Sequence, residues 1–228
     1  MTDERTNPRW FRPLIAGATL RDRTVACIGA LLGVALTMLV CTYSPFASAD
    51  LPMIVAPIGA SAVLAFAVPA SPLAQPWSVV GGNVVSALVG IAAYKFVPEP
   101  HVAAGVAVGG AILAMSLLRC LHPPGGAAAL TAVIGSPAIH AAGWSFALVP
   151  VGINSVALAA LAIAFHRWSG HSYPHRPLPV APEPLGLHLD DIDRALADMP
   201  DSFDIARADL DALLTRAEHH AIERRGRR

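Results

Sequence analysis

From Thr24 to His166 the chain carries only four formal charges, on Asp50, Lys95, Glu99 and Arg119. A stretch that apolar does not stay in water as a monomer, because so much exposed hydrocarbon drives association or insertion into lipid. Turn-forming residues divide it into six apolar segments, at about 24–43, 51–69, 77–97, 101–121, 123–140 and 144–166. Each has roughly 20 residues, the length that crosses a bilayer core as a helix. In lipid the backbone must satisfy its own hydrogen bonds, so the expectation is an all-α, polytopic membrane helix bundle.

The charges sit at the ends. Arg5, Arg9, Arg12, Arg21 and Arg23 precede the first segment, and Arg167 and Arg176 follow the last. A cytoplasmic excess of Lys and Arg orients membrane spans, so both termini read as cytoplasmic in a multi-pass inner-membrane protein. The chain therefore divides into a basic N-terminus (1–23), a transmembrane domain (24–167), a Pro-rich linker (168–186) and an amphipathic helical tail (187–228). In that tail Ile192, Leu196 and Met199 share a helical face, as do Leu210, Leu213, Leu214 and Ala217. Ala47-Ser48-Ala49 resembles a signal-peptidase site, but the apolar run before it is too long and further spans follow.

Cys27, Cys41 and Cys120 show no paired spacing, so neither a disulfide frame nor a metal site is expected. No Ser/His/Asp set, zinc motif or phosphate loop appears, which argues against an enzyme and against a cofactor. Net charge is zero, and the expected partners are the lipid bilayer and a small ligand, with no nucleic acid and with a homo-oligomer left open.

The sequence repeats itself in order. At an offset of 67, Pro57, Gly59 and Ala60 match Pro124, Gly126 and Ala127, and Trp77-Ser78 matches Trp144-Ser145. At an offset of 71, Asn83 matches Asn154. These pairs read as two halves of three segments, which are inverted in topology if all three segments of a half cross fully. Transporters of that design bind substrate at the repeat interface near the midplane.

The second and fifth segments are the interrupted ones, at Ala56-Pro57-Ile58-Gly59-Ala60-Ser61 and His122-Pro123-Pro124-Gly125-Gly126-Ala127. Proline suits the first turn of a helix, so Pro57, Pro123 and Pro124 begin broken or half-length helices. Unpaired N–H groups and the positive end of the dipole would then attract an anion. The candidate substrate-binding residues are Gly59, Ala60, Ser61, Asn83, Arg119, His122, Gly125, Gly126, Ala127 and Asn154. Arg119 precedes His122 by three residues, so on a continuing helix the two would share a face and form a positive pocket. The alternative for Arg119 is a snorkelling charge at the membrane edge. The alternative for Asn83 and Asn154 is to tie free backbone groups of the broken segments. For the glycines it is close helix packing alone.

These residues resemble the HPP family of integral membrane proteins, named for the tripeptide present here as His122-Pro123-Pro124. The likeness runs over about 20–170 and includes Gly59-Ala60-Ser61-Ala62, Ser71-Pro72-Leu73-Ala74-Gln75-Pro76, Ser86-Ala87-Leu88-Val89-Gly90 and Arg119 through Leu130. Asn83 departs from the histidine expected at that place in many members. In longer members a segment like 187–225 leads into paired CBS domains, which this sequence does not contain. Chloroplast and cyanobacterial relatives are associated with nitrite transport. The resemblance thus implies a membrane transporter of a small inorganic anion such as nitrite, with an anion channel or a non-transporting scaffold or sensor as alternatives.

Overall fold

Among the described residues proline opens five helices: Pro57, Pro76, Pro100, Pro123 and Pro137 each stand at a first helical position. There the missing N–H costs nothing and the fixed φ is already helical. The computed structural model describes residues 19–45, 51–177, 189–198 and 204–226. Arg5, Arg9, Arg12 and Met199, with the linker prolines from Pro179 onward, lie outside them.

The helices are α1 (Leu20–Thr42), α2 (Pro57–Ala67), α3 (Pro76–Phe96), α4 (Pro100–Leu117), α5 (Pro123–Ile134), α6 (Pro137–Ala142), α7 (Ile153–Ser169), α8 (Leu189–Asp198) and α9 (Arg207–Gly226). A short 3₁₀ turn, Pro72–Ala74, precedes α3, and a wide turn, Ala147–Gly152, leads into α7. Thr19 and Asp22 close a reciprocal cap at the start of α1. Among the described residues, four helical stretches are long and apolar enough to cross a membrane: Leu20–Thr42, Pro76–Phe96, Pro100–Leu117 and Ala147–Ser169. The fold is an all-α membrane bundle.

Segments two and five differ from the other four. Only 11 residues of the second and 12 of the fifth form a continuous helix. At 1.5 Å per residue these reach about 17 and 18 Å, little more than half of a bilayer core of about 30 Å. Each is preceded by non-helical chain, at residues 51–56 and 120–122. The fifth segment stops at Ile134 because Gly135 and Pro137 intervene, and α6 is a separate turn. The sixth segment carries a break the repeats do not announce: Val149 is extended (φ −130°, ψ 112°) before Pro150.

Helix α1 is built with small residues inside and large ones outside. On α1 the buried positions are Ala26, Gly29, Gly33, Thr37 and Cys41, whereas Leu31, Leu39 and Val40 are exposed. Lipid offers no hydrophobic drive between helices, so close backbone approach and dispersion hold them together. A Cβ at Gly33 would lie 2.5 Å from the Phe66 ring, so the ring needs this glycine.

Contacts fix the direction of each helix. Gly82, Gly90 and Gly125 on α3 and α5 put His122, Ser86 and Ala129 in rising order along both chains, so the two run parallel. Gly29 meets Phe165 while Cys41 meets Asn154, so α7 is antiparallel to α1. Thr42 reaches Met53 while Gly33 meets Phe66, so α2 is antiparallel to α1 as well. Gly143 lies by Lys95, Gly152 by Val84, Ser155 by Asn83 and Tyr173 by Ala74, so the returning chain is antiparallel to α3. It follows that α2 and α5 run in opposite senses. The start of α1 and the end of α7 lie together, with Asp22 4.0 Å from His171.

Candidate functional site

The two short helices meet at their N-terminal ends. His122 is the N-cap of α5, held extended (φ −145°, ψ 106°) by the proline that follows. Its ring is fully buried and both nitrogens are engaged. Nδ1 lies 2.8 Å from the Leu73 carbonyl, which only accepts, so Nδ1 carries the proton. Nε2 lies 2.8 Å from the Ser61 hydroxyl of α2 and accepts from it in the neutral ring.

Asn83 of α3 completes the cluster. Its side chain contacts Ser61 Oγ at 3.1 Å and Ser155 Oγ of α7 at 3.2 Å. Ser155 donates its proton to the Val151 carbonyl at 2.8 Å. Ser61 donates its proton to His122 Nε2, with the Pro57 carbonyl at 3.1 Å as a longer second acceptor. Both serines therefore turn lone pairs toward Asn83, which must face them with its NH₂ group. Asn83 Oδ1 is left buried without a hydrogen-bond partner, as is the hydroxyl of Ser86 one turn further along α3. Thus α2, α3, α5 and α7 each contribute one side chain to a single buried polar knot.

The sequence-based candidates divide. Ser61, Asn83 and His122 come together as one hydrogen-bonded group. Gly125 is buried under Ser86, where a Cβ would lie 2.5 Å from Ser86 Oγ and 2.9 Å from the Gly82 carbonyl. Gly59, Ala60 and Ala127 are exposed and Gly126 is half-buried. Asn154 lies elsewhere: it accepts from Val55 N at 2.9 Å and donates to the Met53 carbonyl at 3.1 Å and to Cys41 Sγ at 2.9 Å. It ties the non-helical approach to α2, the backbone role open to it from sequence. Pro57 and Pro124 are buried and Pro123 is exposed.

Two expectations are corrected. Arg119 does not share a face with His122, because α4 ends at Leu117 and Arg119 sits exposed in a turn with φ 54°. Nor do the helix starts offer a row of free amides. Pro57, Pro123 and Pro124 have none, Ile58 and Gly59 donate to the Val55 and Ala56 carbonyls at 3.0 Å, and Gly125 donates to the His122 carbonyl at 2.8 Å. The dipoles converge, but their donors are taken.

Sequence reasoning missed Ser86, Ser155 and the Leu73 carbonyl. A hydroxyl within an apolar helix was the available signal for the two serines. Nothing local marked Leu73, because its role comes from a backbone atom. The connector that carries Leu73 is itself gripped from the polar side. Tyr173 donates to the Ala74 carbonyl at 2.8 Å, His175 N donates to Gln75 Oε1 at 2.9 Å, and Ser71 donates to Asp204 at 2.8 Å. Burial pushes the Tyr173 phenol above its usual range, so it stays a donor. His175 Nε2 meets Asp209 of α9 at 2.8 Å.

The fold and site define a polytopic membrane protein in which two short helices of opposite sense meet at a buried histidine. The HPP transmembrane-region model matches residues 16–174, and the chain belongs to that family. It is similar to two transmembrane proteins of Dictyostelium discoideum. One is 38% identical over 114 residues, which is 48% of this chain and 36% of that protein. The other is 34% identical over 137 residues, 58% of this chain and 48% of that protein. The match thus spans less than half the length of either relative. No solved structure matches the chain.

Proposed function

We propose that the protein is a transporter of a small inorganic anion such as nitrite, with the translocation site where α2 and α5 meet. One observation carries this reading: short helices of opposite sense place their N-terminal ends on one buried cluster, Ser61, Asn83 and His122. Interrupted segments in corresponding positions of two halves are the sequence pointer to a transport site, and their opposite senses support an inverted pair. The family's link to nitrite supplies the substrate class. The start of α1 and the end of α7 share one side, which also holds Arg21, Arg23, Arg167 and Arg176. Arg119 joins them there, since the Leu118 carbonyl beside it accepts from Trp77 Nε1 near the start of α3. By the excess of positive charge, that side is the cytoplasmic one in an inner membrane.

The test is uptake of nitrite and nitrate into proteoliposomes holding the full chain. Saturable, protein-dependent uptake that is lost in a correctly inserted His122→Ala protein is the expected result. Uptake that rises linearly with concentration points to a channel. No uptake above protein-free vesicles overturns transport of these ions.

A further inference from the structure

The buried knot is short of positive charge and keeps one acceptor unpaired. No Asp, Glu, Lys or Arg belongs to the buried set among the described residues. Arg119, the cation closest in sequence, stands outside in its turn. The helix-start amides that remain after three prolines are used by nearby carbonyls. His122 spends its Nδ1 proton on Leu73, and Asn83 spends its NH₂ on two serines. What is left over is one pure acceptor, Asn83 Oδ1, and one neutral hydroxyl, that of Ser86 on the adjoining face of α3, which can donate or accept. The pair suits a neutral molecule with both an O–H and an acceptor atom. An isolated anion buried against an acceptor is costly, whereas a neutral molecule that brings its own O–H is not.

We infer that the translocated species is bound as its conjugate acid, a small neutral molecule whose O–H donates to Asn83 Oδ1. The inference rests on the transport reading and specifies the form in which the substrate passes. The anion takes one proton from solution on one side, crosses as the neutral acid, and releases that proton on the other. Each turnover then moves one anion and one proton together, with no net charge. The groups that bond Asn83 are Ser61 from α2 and Ser155 from α7; His122 at the start of α5 reaches it through Ser61, and Cys120 is buried two residues before that histidine. Of these, His122 and Cys120 can titrate, so the experiment must separate a proton on the ligand from a proton on the protein.

Uptake of nitrite is measured in proteoliposomes between pH 5.5 and 7.5, with protein-free vesicles subtracted because neutral acids also cross lipid unaided. At fixed total nitrite the protonated fraction falls about tenfold per pH unit above its pKa, so subsaturating uptake should fall in step. A potassium-diffusion potential of either sign should leave the rate unchanged. His122→Asn, which cannot ionise, should slow uptake and keep the same pH slope. Asn83→Leu should lose uptake at every pH while its detergent melting temperature reports folding. Protein-dependent uptake that is flat with pH or follows the potential overturns the inference and leaves transport standing. Loss of the pH slope in His122→Asn places the proton on the histidine and overturns it as well. A folded Asn83→Leu protein with full uptake reduces the orphan oxygen to a packing feature. No protein-dependent uptake at any pH brings down the transport reading too.

Discussion

The two short helices open in the same way and are held very differently. Helix α5 is pressed into α3 along its whole buried face: a Cβ at Gly82 would lie 2.5 Å from His122 Cβ, and one at Gly90 would collide with the Ala129 backbone. Helix α2 leans on side chains instead: Ile58 is buried near its start, Phe66 lies on Gly33 and the Ala65 carbonyl meets His166 at 2.9 Å at its far end, while a Cβ at Gly59 would meet nothing within 4 Å. The matched glycines of the repeated Pro-x-Gly-Ala motif, Gly59 and Gly126, both leave room for a Cβ; the difference lies at the position before them, which is Ile58 in α2 and the tightly packed Gly125 in α5. In α5 Gly125 is a packing requirement, as Gly82 and Gly90 are on the α3 face it meets. In α2 Gly59 and Ala60 line an open face, and only Ser61 enters the knot.

Mutations in the two short helices and in the faces that hold them should expose that difference, read as melting temperature in detergent. Gly90→Val should have the largest effect, because backbone on the facing helix cannot move aside; a loss of about 3 kcal/mol or more is expected, with little folded protein recovered. His122→Ala removes the link between the helices and strands the Leu73 carbonyl, at a cost of roughly 2–3 kcal/mol, and His122→Asn, with one donor and one acceptor, should recover part of it. Asn154→Leu leaves Val55 N–H buried and unpaired and should cost roughly 1–2 kcal/mol without touching the knot. Arg119→Gly relieves a left-handed residue and should stabilise by about 1 kcal/mol, and Arg119→Lys should be neutral. Gly59→Ala should be the mildest, stabilising α2 by about 0.5 kcal/mol, since alanine is the better helix former and the space is free. If Gly59→Ala proves as damaging as Gly90→Val, the two helices are equally clamped and the contrast is lost.

Much of this was legible in the residues. Charge depletion from Thr24 to His166 marked the membrane domain, and Pro57 and Pro123 marked the starts of the short helices because proline acts on its own backbone. The extent of α2 and α5 was less legible, since apolar residues continue past Ala67 and Ile134 and hydropathy does not distinguish helix from turn. Arg119 was misplaced because three-residue spacing implies a shared face only while the helix continues, and α4 ends first. The kink at Val149 and Pro150 went unread for the opposite reason, a proline inside a run that looked continuous. In the tail, the buried positions of α9 are Ala212 and Thr215, three residues apart, while Leu213 is exposed, so the face that packs is offset from the one the leucines mark. The unpaired state of Asn83 Oδ1 depends on two serines and a histidine from three other helices, which no local pattern reports.

The layering of α1 and of the α3–α5 seam, small residues within and large ones at the lipid, has a consequence for how this chain tolerates change. At the outer positions many apolar side chains serve equally, since one hydrocarbon replaces another against fluid tails. At Gly33, Gly82, Gly90 and Gly125 any added carbon meets a ring, a side chain or a backbone that is already there. The tightest instructions in the sequence are thus written in its smallest letters. A substitution scan of this protein should show its deepest intolerance at residues that contribute almost no side-chain atoms of their own.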